Sequence, residues 1–140
     1  MEDLKIVVDY ATLIALGLMS IIAMGYAIER FFYYRSVKVE SFTTKNDAEA
    51  QLTNNLTAIS VIGSNAPYVG LLGTVAGIMV VFYEMGQQGG VDPTAVVIGL
   101  SLALKATALG LVVAIPSMMA YSACLRKVDL LMGEWEDARA

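Results

Sequence analysis

Three long stretches without charge dominate this chain, and they leave little room for a water-soluble fold. Tyr10 to Ile28 is uncharged for 19 residues and Gln51 to Tyr83 for 33, while Pro93 to Leu125 carries one charge, Lys105. At about 1.5 Å per residue, a helix of about 20 apolar residues crosses a bilayer core of about 30 Å. The first stretch is therefore one crossing. The other two predict helices of roughly 50 Å, which must project from the membrane or tilt strongly. Only 16% of residues are charged, against about 25% in ordinary soluble domains, and the mean hydropathy is +0.65. The expected class is an all-α integral membrane protein with three transmembrane helices, the second and third long and extending into the cytoplasm. It reads as a single membrane domain, residues 1–140, with spans at about 10–28, 59–83 and 96–121. A signal peptide would need a basic leader, and Met1-Glu-Asp-Leu-Lys is not one.

Basic residues orient the spans. Arg30, Arg35, Lys38 and Lys45 lie between the first and second, and Arg126, Lys127 and Arg139 follow the third. The turn between the second and third holds Glu84 and Asp92 but no lysine or arginine. The positive-inside rule then predicts an outer N-terminus, a short cytoplasmic loop at 29–56 and a cytoplasmic tail at 126–140. Phe31 to Tyr34, bracketed by Arg30 and Arg35, reads as an interface anchor. Gly86-Gln-Gln-Gly89-Gly90 breaks the chain on the outer side. Asp92-Pro93 reads as an N-cap followed by proline at the first helical position, and Pro116 is expected to kink the third helix. After Tyr121, Leu125, Val128, Leu131 and Trp135 recur at helical spacing, so the tail is read as a continuation of that helix.

Small residues mark the membrane segments. Ala66, Gly70, Gly73, Thr74 and Gly77 form one stripe, and Gly99, Ala103, Ala106, Thr107, Gly110, Ala114 and Ser117 another. In lipid, such stripes let helix backbones approach closely, and helix packing alone would account for any single glycine. Each stripe also places a threonine and a glycine three residues apart on one face, at Thr74/Gly77 and Thr107/Gly110. An isolated membrane threonine usually bonds its own helix at the i−3 or i−4 carbonyl. Two in matching settings instead suggest a face that orients water, since a hydroxyl both donates and accepts. No Asp or Glu lies within the three spans, so any proton relay must take its carboxylate from a partner. Lys105 falls about 200° around the helix from Thr107. It is expected to snorkel at an interface or to pair with a neighbouring subunit rather than to act in transport. With no histidine and Cys124 as the sole cysteine, neither an intrachain disulfide nor a transition-metal site is expected.

The segments Ala66-Pro-Tyr-Val-Gly-Leu-Leu-Gly-Thr-Val-Ala-Gly-Ile-Met79 and Lys105-Ala-Thr-Ala-Leu-Gly-Leu-Val-Val-Ala-Ile-Pro116 resemble the ExbB/TolQ/MotA proton-channel family. Compact members of its ExbB branch are nearest, and Glu29-Arg30 is a further point of resemblance. The resemblance implies no enzyme and no cofactor. It implies an inner-membrane motor subunit that uses the protonmotive force to energise a TonB-like protein for uptake across the outer membrane. The expected partners are an ExbD-like single-span protein with an intramembrane aspartate, and copies of the chain itself in a ring, usually a pentamer; nucleic acid is not among them. The family's pore threonines fall on Thr74 and Thr107, with Gly70, Gly77, Ala103, Gly110 and Ala114 on the same faces. Glu29, Arg30, Lys105 and Pro116 are assigned structural or interface roles. Many members carry a glutamate about one turn before the second threonine, where this chain has Leu102. Rival readings are a TolQ-like subunit for envelope maintenance, a flagellar stator, a passive membrane scaffold and a small multidrug carrier. The carrier is disfavoured by the missing carboxylate.

Overall fold

The computed structural model describes residues 2–90 and 92–139, so Met1 of the leader and Ala140 of the tail lie outside the described residues. Three long helices account for most of it: α1 (Glu2–Ser36), α3 (Leu56–Gln88) and α4 (Pro93–Arg139). A one-turn 3-10 helix (Val39–Ser41) and the short α2 (Lys45–Leu52) fill the link between α1 and α3. All three long helices are apolar and long enough to cross a membrane. α1 and α4 outrun their uncharged stretches, whereas α3 begins five residues inside its own and ends five beyond it. Nothing in Met1–Asp9 or Glu29–Ser36 breaks a helix, so α1 continues through the charges and aromatics at both its ends.

Helix ends follow local chemistry. Gly89, at φ 70°, stops α3 in the left-handed conformation that glycine adopts without a Cβ penalty. Asp92 Oδ1 accepts from the Thr94 N–H at 3.0 Å and caps α4, with Pro93 at its first position. Thr44 Oγ1 caps α2 by accepting from the Asp47 N–H at 3.0 Å. Asn55 joins α2 to α3 at φ 70°, a conformation asparagine tolerates better than most residues. Its Nδ2 donates to Glu29 Oε2 at 3.3 Å. Both Pro67 and Pro116 lie inside continuous helices.

α3 sits at the centre: 39% of its most apolar window is buried within the chain, against 11% for α1 and 17% for α4. α1 contributes a narrow stripe in which Leu16, Ala23 and Arg30 are buried at seven-residue intervals. On α4, the inward positions Gly99, Ala103, Thr107, Gly110, Ala114, Ser117, Tyr121, Cys124, Val128, Leu131 and Trp135 alternate steps of three and four almost throughout. This is the repeat of a coiled-coil seam. Its residues change size along the helix. From Gly99 to Ser117 it uses Gly, Ala, Thr and Ser, as close packing in lipid requires. Beyond Arg126 and Lys127 it uses Val, Leu, Met and Trp, which gain from leaving water.

Those larger residues close a second core with Tyr34, Val39, Phe42, Ala48, Leu52, Leu56 and Ile59. Leu52 is fully buried, worth about 1.5–3 kcal/mol by itself. Trp135 Nε1 donates to the Phe42 carbonyl at 3.0 Å, and Arg139 donates to the same oxygen. The tail helix thereby holds the link between α1 and α3.

Candidate functional site

The two threonines meet. α3 and α4 run antiparallel, and their small-residue stripes face each other so closely that the backbones touch. An ideal Cβ on Gly70 would lie 2.6 Å from the Ala106 carbonyl oxygen and 3.1 Å from the Gly110 Cα. One on Gly110 would lie 2.6 Å from the Ala66 carbonyl oxygen. One turn from this contact, Thr74 Oγ1 is 2.5 Å from Thr107 Oγ1 and 2.8 Å from the Ala103 carbonyl oxygen. Its own i−4 carbonyl, Gly70 O, is farther, at 3.2 Å. A hydroxyl has one proton. Both short contacts are satisfied when Thr107 donates to Thr74 and Thr74 donates to Ala103. Ala103 is the i−4 residue of Thr107, so Thr74 occupies the carbonyl that Thr107 would otherwise use.

Thr74 is only 6% exposed, whereas Thr107 is half-buried. Gly70, Gly77, Ala103, Gly110 and Ala114 are all buried in the same seam, and Gly77 faces Ala103. Leu102 is 48% exposed. The nearest carboxylate along α3 is Glu84, about 15 Å up the helix from Thr74. The seam can exchange hydrogen bonds with water or a partner, but its own groups cannot store a proton near neutral pH.

Lys105 points away from this pair. It is exposed and lines a cleft of about 130 Å³ with Asp9, Thr12 and Leu13 of α1. Sequence reasoning passed over Thr12 and Asp9 because they sit at the edge of the first uncharged stretch. Thr12 packs its side chain where a Gly73 Cβ would be, and its hydroxyl donates back to the Val8 carbonyl at 2.9 Å. The signal was available in Gly73, whose missing side chain must be matched by something.

Glu29 and Arg30 form a joint at the other end of α1. Arg30 is 2% exposed. Its guanidinium binds Glu29 at 2.5 Å, donates to the Gln51 carbonyl at 3.0 Å and lies 4.1 Å from the Tyr33 ring centroid. It thus caps the C-terminus of α2, where a cation meets the unsatisfied carbonyls and the negative end of the helix dipole. Tyr34 Oη donates to the Leu52 carbonyl at 2.7 Å, and burial pushes its phenol up to about 12. Arg30, with the Asn55 hydrogen bond assisting, holds the Glu29 carboxyl below its usual value against a smaller opposing effect of burial.

Residues 36–137 match the family model described as the MotA/TolQ/ExbB proton channel family. The chain belongs to this proton-channel family. It is 52% identical over 131 residues to the biopolymer transport protein ExbB of Helicobacter pylori strain J99, covering 94% of this chain and 90% of that one. It is 48% identical over 136 residues to the ExbB of Aquifex aeolicus, covering 97% of this chain and 92% of that one. The Tol-Pal system protein TolQ of Pseudomonas aeruginosa is 38% identical over 87 residues, covering 62% of this chain and 38% of that one. Family membership and three spans make the chain a multi-pass membrane protein of a proton channel.

Proposed function

We propose that the chain is the ring-forming subunit of an ExbB-type motor in the bacterial inner membrane. With an ExbD-like single-span partner it would couple proton entry to movement of that partner, and so energise a TonB-like protein. The observation that carries the reading is the Thr74–Thr107 pair, set in a small-residue seam without an acid of its own. Near-full-length similarity to ExbB proteins supports this branch over TolQ. Thr107, half-buried, would orient water beside the partner's aspartate. Thr74 would hold it in place. Gly70, Gly77, Ala103, Gly110 and Ala114 would keep the two helices close enough for that geometry. One charge moved through 100 mV supplies about 2.3 kcal/mol, so a few protons per step are enough for mechanical work.

A second reading has its own support: the two hydroxyls satisfy each other and so serve to pack α3 against α4. The two readings separate on Thr107→Val and Thr74→Val, which are nearly isosteric. An interhelical hydrogen bond in a membrane is worth about 0.6–2 kcal/mol, so both variants should assemble at near-normal levels. On the motor reading, Thr107→Val abolishes proton-driven uptake at normal protein level and Thr74→Val reduces it. Uptake that tracks protein abundance alone would establish packing as the whole role. Co-purification with a TolR-like rather than an ExbD-like partner would move the chain to the TolQ branch.

A further inference from the structure

A cleft of about 670 Å³ opens between α1 and α4 where both helices leave their apolar stretches. This is within the range of small-molecule sites, about 300–1,000 Å³. Its walls include Ala27 of α1 and Ala120 and Ala123 of α4. These short side chains leave room between the helices at this level. Within the apolar stretches, by contrast, Leu16 of α1 shares a buried cluster with Ala66 and Ala114. Two cations, Arg35 and Lys127, also line the cleft, with no carboxylate among the described lining residues. Arg35 lies over the exposed Phe31 ring, 5.4 Å from its centroid.

Two of the tail's four acids are directed elsewhere. Asp129 and Glu136 line a separate groove against α2, where Glu136 pairs with Lys45 at 3.4 Å. The Tyr34 hydroxyl, also in the cleft wall, is committed to Leu52. What remains is a mostly apolar slot whose lining includes two cations without an ion-pair partner among the described residues, just beyond the uncharged stretches of α1 and α4. Basic pockets between transmembrane helices hold anionic lipid headgroups. A guanidinium also offers a phosphate two parallel donors, which a water-facing anion site would not need to combine with an apolar floor.

We propose that this cleft binds one anionic phospholipid, its phosphate held between Arg35 and Lys127 and an acyl chain lying along Ala27, Ala120 and Ala123. The occupant would add to the contacts that Tyr34 of α1 and Cys124 of α4 already make in the adjoining core. The test uses the assembled protein, purified and delipidated in detergent. Phosphatidylglycerol and phosphatidylcholine of matched chains are titrated in, and retained lipid is counted by native mass spectrometry. Phosphatidylglycerol should be retained at about tenfold lower concentration. The double variant Arg35→Gln/Lys127→Gln should lose that preference. Arg126→Gln, which removes a cation outside the cleft, should keep it.

Ala123→Phe keeps both charges but fills the slot, and it should lose retention of phosphatidylglycerol. This variant decides the matter if the double variant fails to assemble. Equal retention of the two lipids by the unaltered protein overturns the proposal, as does full retention by Ala123→Phe. Displacement of the lipid by glycerol phosphate at equal concentration would likewise overturn it, because the charges alone would then do the binding.

Discussion

Single side chains, or their absence, decide whether α3 and α4 can touch. Gly70 and Gly110 face backbone atoms that cannot rotate away, so an added methyl must push the helices apart. Gly70→Ala and Gly110→Ala should each destabilise the purified protein by about 1–3 kcal/mol, seen as a lower thermal midpoint. Gly133→Ala, with nothing within 4 Å of the new methyl, should be neutral or stabilising by up to about 1 kcal/mol through helix propensity. Equal behaviour of the three would contradict the backbone contact. The sequence made the small stripes and both threonines legible, because glycine and threonine at helical spacing in apolar surroundings are unusual. It did not reveal that Thr74 reaches the Ala103 carbonyl. That depends on the antiparallel register of α3 against α4, which no local pattern encodes.

The individual helices were largely readable for the same reason. Asp92-Pro93 and Gly89 announced the turn between α3 and α4, and the spacing of Val128, Leu131 and Trp135 announced the tail of α4. The extension of α1 to Glu2 and Ser36 was less visible, since charge marks the edge of a membrane but not the end of a helix. Nor does Arg30 look buried in sequence: its partners, the Gln51 and Leu52 carbonyls, are backbone groups some twenty positions away. This joint between α1, α2 and α3 is expected to be pH-dependent through Glu29. Its folded pKa is lowered, so its stabilisation is present above the unfolded value of about 4.3 and is lost as pH falls through the folded one. Glu29→Gln should therefore lower the thermal midpoint near pH 6, and the gap to the unaltered protein should close as pH falls through the lowered pKa of Glu29. A gap that stays constant or widens on acidification would show that the carboxylate is not the stabilising form.

Across the whole molecule, one chain buries little of its own apolar surface. Leu104, Val112 and Ile115 on α4 remain exposed and must meet lipid or another chain. The cations gathered at one end predict an outer N-terminus and a cytoplasmic tail. In a Cys124→Ala background, a cysteine at Gln87 should react with an impermeant maleimide added outside intact spheroplasts, and one at Thr53 only after permeabilisation. The reverse pattern would invert the proposed topology. The capture of the Ala103 carbonyl by Thr74 has a mechanical consequence. Sliding α3 along α4 would break that bond and drive the Gly70 and Gly110 backbones into neighbouring side chains, so the hairpin behaves as one stiff stave. If the proposed ring forms, its slip planes would run between staves, never through one.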